Sequence, residues 1–166
     1  MKKLRITIIL AALLFFLDAF LLNQGFLSLV LIPITLFVLL PHALWVYRKD
    51  RALYLTRLTK AGIFLLAAFS VFAANTLQNR IADRRAIMLG NACIAFRAKY
   101  QHYPTRLNDL APEFIRSVPM AKPLAGAPFF YSNSLSGHEP MLFYAAIPPF
   151  GRRFYHMETG GWGYLD

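Results

Sequence analysis

The sequence predicts a membrane α anchor carrying an α/β ectodomain: three transmembrane helices, the third continuing as one long helix packed on a small antiparallel sheet. Three observations predict it. Residues 61–77 (AGIFLLAAFSVFAANTL) carry no charge, and as a helix they rise roughly 25 Å, close to the apolar thickness of a bilayer. Past Gln78 the run continues without a proline as an amphipathic pattern. Ile81, Met88, Leu89, Ala92, Phe96, Tyr100 and Tyr103 recur there at steps of three and four, beside Arg80, Asp83, Arg84, Arg85, Arg97 and Lys99. After Pro104 the texture changes to prolines, aromatics and short apolar runs. The chain therefore divides into 1–60, a transmembrane hairpin and a basic loop; 61–104, the third span and its amphipathic continuation; and 105–166, a small β region.

Composition agrees. Of 166 residues, 57% are hydrophobic and the mean hydropathy is +0.44, too apolar for an ordinary soluble domain. The excess lies in 1–77, which leaves about 90 residues for one small domain with a modest core. The net charge of +10 is divided among the N-terminus, one short segment and the C-terminal region. That dispersion fits membrane topology, and no nucleic-acid partner is expected. With a single cysteine, Cys93, the chain holds no intrachain disulfide and no thiolate metal cluster. Its neighbours Ala92, Ile94 and Ala95 predict a buried thiol.

The first apolar segment runs over 6–22. It follows Met1-Lys2-Lys3-Leu4-Arg5 like the core of a signal peptide, but no Ala-x-Ala site follows cleanly, so it reads as an uncleaved helix. Asp18 interrupts it near its end. That carboxylate either caps or pairs near the turn Asn23-Gln24-Gly25, or makes an intramembrane contact with a partner helix or a proton site. The second segment, 26–47, has no Asp, Glu, Lys or Arg; Pro33 can kink it, and Trp45 and Tyr47 make an interfacial belt beside Pro41-His42. His42 reads as an interfacial side chain.

Arg48, Lys49, Arg51, Arg57 and Lys60 then crowd a loop against Asp50 alone. The positive-inside rule puts this loop and the Lys2-Lys3-Arg5 tail in the cytoplasm, two spans apart. The third span must carry 78–166 to the far side, the periplasm if the membrane is the inner membrane of a bacterium. Leu53, Tyr54, Leu55 and Leu58 suit a short helix lying on an anionic leaflet, which makes membrane lipids the first expected partners.

Beyond the long helix, Pro104, Pro112, Pro119, Pro123, Pro128, Pro140, Pro148 and Pro149 exclude another. Residues 105–110 allow one short helical turn, capped by Thr105 or Asn108. Strands are predicted over 129–132, 141–146, 154–157 and, more weakly, 162–165, with turns at 133–137 and at Gly151-Arg152. Three or four such strands, packed antiparallel on a stripe of Met88, Ala92, Phe96 and Tyr100, bury the aromatics most simply.

The stretch Phe96-Arg97-Ala98-Lys99-Tyr100-Gln101-His102-Tyr103-Pro104-Thr105 is followed by Leu107, Leu110-Ala111-Pro112, Val118-Pro119, Lys122-Pro123, Gly126 and Phe129-Phe130-Tyr131. Together with the helix before it, this order resembles type IV pilins and the pseudopilins of type II secretion over residues 60–164. The resemblance implies a helix ending near the Tyr-Pro pair, a short helix, a proline-bounded loop and a small antiparallel sheet. It departs from the family in having two extra spans, and in having Ala67 where the prepilin glutamate would stand. Gln101 occupies a place where the family often has glycine, and Glu139, Glu158 and Asp166 are too scattered for the family's calcium site. What it implies is a pilin-like ectodomain on a permanent anchor rather than a pilus subunit.

The sequence carries little catalytic signal. His102, His138, Glu139 and His156 leave one metal set open, but none has helical or His-x-His spacing, and His42 belongs to the other side. Ser134 and Ser136 lack a nucleophile elbow. Gly160-Gly161-Trp162-Gly163 is no phosphate loop, and no acid/base pair stands out among Asp83, Asp109, Glu113, Glu139, Glu158 and Asp166. The expectation is a non-catalytic protein with no cofactor and no metal. Arg80, Arg84 and Arg85 either touch lipid headgroups or form a docking face for an acidic partner. Arg152 and Arg153, with Phe150, Phe154 and Tyr155, make either a cation–aromatic patch for protein or glycan or a solvated hairpin tip. Phe150, on the rigid Pro148-Pro149-Phe150-Gly151 loop, is the leading external contact.

The function expected is an accessory or assembly factor of a type IV pilus, competence or type II secretion system, with pilin-like or secretion-platform proteins as partners. The alternatives are a membrane-anchored immunity or inhibitor protein binding a periplasmic toxin or enzyme, and a small accessory subunit of a larger membrane complex with Asp18 buried among other helices.

Overall fold

The structure is a computed structural model describing residues 2–21, 25–132, 140–147 and 151–165. Helix α1 (Lys2–Phe16) runs into a π turn at Leu17–Leu21, and α2 (Phe26–Ile34) runs through a second π turn, Thr35–Leu39, into α3 (Leu40–Val46). Pro33 and Pro41 bracket that second turn, and each lacks the N–H an α ladder needs. Helix α4 spans Arg51–Tyr100, and strands β1 (Phe130–Ser132), β2 (Met141–Ile147), β3 (Gly151–His156) and β4 (Trp162–Leu165) complete the order. The chain forms two compact units, Met1–Thr76 and Leu77–Asp166.

In the first unit the helices meet through small or polar residues. Ala11, Ala19, Ala43, Ala61 and Ala68 are buried with Thr7, Asp18, Ser28 and Thr35, while Ile9, Leu29, Phe37 and Leu66 lie exposed. Small residues at the seam let backbones approach closely, the packing that replaces the hydrophobic effect in lipid. Two helical stretches, Phe26–Val46 and Arg51–Tyr100, are long and apolar enough to cross a membrane. The 15 residues of α1 are not counted with them, so the expected third span is not established by length. The basic loop is also shorter than the sequence suggests. Asp50 Oδ1 accepts the Leu53 N–H at 2.9 Å, an N-cap that starts α4 at Arg51, and no proline interrupts the helix afterwards. Only 47–50 separates α3 from α4.

In the second unit the strands form an antiparallel four-stranded meander in chain order, β1-β2-β3-β4. The fourth strand is therefore real. Phe130 pairs with Phe143, Tyr144 with Arg153, and Arg153 with Tyr164. Gly151 and Arg152, expected to turn, belong to β3, because Arg152 is held between Ala145 and Leu165. The turn expected at 133–137 lies outside the described residues.

The α4 face against the sheet is Ala82, Ala86, Leu89, Ala92, Cys93 and Phe96, opposite Leu142, Tyr144, Ala146, Tyr155 and Met157. This corrects the expected stripe: Met88 and Tyr100 are exposed, as are Ile81, Ile87 and Ile94. The sheet supplies the bulk here, so the helix must supply small residues. At Gly90 a Cβ would lie 2.6 Å from a ring carbon of Tyr155. Helix α4 ends at Tyr100, and Gln101 adopts a left-handed φ of 63°, the conformation a helix C′ residue needs and glycine usually supplies. The short turn that follows is a 3-10 helix at Leu107–Leu110. Neither Thr105 nor Asn108 caps it; Asp109 Oδ2 reaches back to the Arg106 N–H at 2.8 Å.

Candidate functional site

The densest polar constellation lies at the seam of α4 and the sheet. Helical spacing places Asn79 and Asp83 one turn apart, and strand alternation turns Tyr144 and Arg153 towards them. Tyr144 donates its hydroxyl to Asp83 Oδ1 at 2.7 Å, and Arg153 Nη1 pairs with Asp83 Oδ2 at 2.8 Å. The Arg153 guanidinium lies over the Trp162 ring, 4.5 Å from its centroid. Burial and the neighbouring Asp83 carboxylate push the Tyr144 phenol well above its ordinary range. Beside this network the Lys122 ammonium, fully buried, donates to the Ala146 carbonyl at 3.2 Å. The Asn79 side-chain amide donates to the same oxygen at 3.1 Å. With both Asp83 oxygens engaged, the network joins helix to sheet. It does not present a free acid or base to solvent.

Sequence reasoning did not single out Asn79, Tyr144 or Lys122. Residues 141–146 are apolar or aromatic throughout, so the local sequence does not show which sheet face the Tyr144 side chain takes.

Arg152 and Arg153, adjacent in sequence, point to opposite sheet faces and form no common patch. They also lie within β3 and not at a hairpin tip. Phe154 shares the outer face with Arg152, and its ring lies over Gly163, where a Cβ would come within 2.2 Å. Phe150 lies outside the described residues, as do His138, Glu139, Ser134, Ser136 and Asp166. Arg80 and Arg84 are exposed, but Arg85 bends back to donate to the Met120 carbonyl at 2.7 Å. Arg85 is thus engaged by its own loop, apart from Arg80 and Arg84. Among the described residues no group of three metal-ligating side chains converges.

At the upper end of α4, Arg97 pairs with Glu158 at 2.6 Å and Lys99 pairs with Glu113. The Lys99 ammonium and the Tyr100 hydroxyl hold the Glu113 carboxyl below its usual range. These exposed pairs tie the loops to the helix and are individually weak.

In the first unit Asp18 is fully buried. Its Oδ2 accepts the Ser28 N–H at 2.8 Å and the Ser28 hydroxyl at 2.6 Å, so this oxygen joins the two arms of its own hairpin, while Oδ1 is buried without a hydrogen-bond partner among the described residues. Arg57 donates to His42 Nε2 at 3.1 Å and to the His42 carbonyl at 3.3 Å, tying α4 to α3. No protein family, curated protein or solved structure matches the chain.

Proposed function

We propose that this is a non-catalytic protein of a bacterial inner membrane whose pilin-like periplasmic domain serves as an accessory or assembly factor of a type IV pilus, competence or type II secretion system. The observation that carries the reading is the double use of α4. Its first part packs with the hairpin within the first unit, and its second part carries a small meander sheet within the second. A helix so held by its own chain suits a resident factor better than a subunit extracted into a filament. In this reading α1 and its π turn, together rising about 30 Å, form a further span. The N-terminus and the basic 48–60 segment then lie in the cytoplasm, and Arg80 and Arg84 lie near the far headgroups. The open side of α4, where Ile81 with Met88 and Ile87 with Ile94 form two exposed apolar rows on either side of Arg84 and Asn91, is the surface offered to pilin-like partners.

The test is crosslinking of the full-length protein in its native cells, mild-detergent purification and mass spectrometry, paired with a deletion strain. Pilus or secretion-platform components should co-purify, and piliation, DNA uptake or secretion should fall on deletion. Parental levels of all three in the deletion strain, or a single secreted toxin as the only crosslinked partner, would defeat the proposal.

A further inference from the structure

A cavity of about 400 Å³ opens in the second unit beside the free edge of the sheet. Leu107 and Phe129, both buried, give it an apolar floor, and Val118 and Pro119 form one wall. The other wall is the chain entering β1, with Pro128 before the strand and Tyr131 within it. Strand β1 is terminal in the sheet order, so one row of its backbone N–H and C=O groups has no strand beside it among the described residues. Such an edge is a template for another extended chain. Pro119 and Pro128 lack N–H groups, which limits pairing of the cavity's own walls across it. The rim is polar: Thr105, Arg106 and Asn108 border the opening. Arg106 is exposed, and among the described residues its guanidinium has no ion pair; Asp109 instead accepts the Arg106 backbone N–H.

We propose that this groove binds an extended peptide segment of a partner protein, which adds to the β1 edge, sets apolar side chains on Leu107, Val118 and Phe129, and places a carboxylate against Arg106. The edge argues for a peptide, and the excess of ten Lys and Arg over six Asp and Glu in residues 77–166 favours the approach of an acidic one. The inference does not depend on the pilus reading, since it concerns the chemistry of the occupant and not its source.

The test uses the full-length protein in detergent micelles and fluorescein-labelled hexapeptide pools of alternating Val, Ile and Thr, carrying either one Glu or one Lys at a fixed position. The Glu pool should bind at least about tenfold more tightly by anisotropy. Arg106→Glu should reverse that preference, and Asn108→Trp, which fills the mouth, should abolish binding of both pools. N-methylating alternate peptide amides should remove binding in one register and spare it in the other. Equal binding of the two pools, no binding of either, indifference to Arg106→Glu, or indifference to N-methylation each overturns the proposal.

Discussion

Lys122 shows how a single residue can set the pH dependence of the second unit. Burial lowers its ammonium pKa to about 8, whereas an unfolded chain holds the same proton to about 10.4. Between these values the unfolded state binds more protons, so this residue makes stability rise with pH. Below about pH 8 the folded domain carries the full penalty, on the order of 3 kcal/mol at most. Lys122→Met removes the charge and keeps the stem, and the Ala146 carbonyl retains its bond from Asn79. The variant should melt higher than the parent near about pH 7.5 and lose that advantage near about pH 10. Thermal unfolding of both proteins in one detergent measures this, and a difference that stays constant across the interval would count against it. Nothing local marked Lys122 as buried. It sits between Ala121 and Pro123 in a proline-rich loop, and only the return of β2 encloses it.

At the scale of the element, α4 tests how helix and sheet divide the volume between them. Glycine inside a helix costs about 1 kcal/mol against alanine, so Gly90→Ala would ordinarily stabilise. Here the new Cβ would meet the Tyr155 ring at 2.6 Å, and overpacking of that kind costs about 1–3 kcal/mol. Gly90→Ala should therefore lower the melting midpoint of the full-length protein, and adding Tyr155→Leu should recover part of the loss. A higher midpoint for the single variant would refute the close approach. The same seam explains what periodicity could and could not reveal. Periodicity, with short apolar and aromatic runs such as 141–146, identified a long helix over an antiparallel sheet and most strand positions. It misplaced the buried stripe by favouring large residues such as Met88, although the bulk came from Tyr144 and Tyr155 across the interface. Non-local pairing also recruited Gly151 and Arg152 into β3 against their local preference. The polar network at Asp83 was illegible for the same reason, since Arg153 Nη1 and Asp83 Oδ2 meet only once the sheet is folded.

Across the whole molecule, the charge pattern makes a claim that neither unit makes alone. The exposed cations at 48–51 follow one apolar stretch and precede another, and in the proposed reading the retention of such clusters in the cytoplasm sets the side of everything else. Lys49 and Asn108 are both exposed, in the first and second unit respectively. In Lys49→Cys and Asn108→Cys variants, a membrane-impermeant maleimide should label residue 108 in cells with a permeabilised outer membrane, and residue 49 only after lysis. The native thiol does not confuse the result: Cys93 is buried and desolvation pushes its pKa up to about 12, so its reactive thiolate is scarce at neutral pH. Labelling of both sites in intact cells would mean that α4 does not cross the membrane. Labelling of residue 49 alone would mean that the orientation is reversed, leaving the ectodomain in the cytoplasm and the pilus reading without a partner on its side of the membrane.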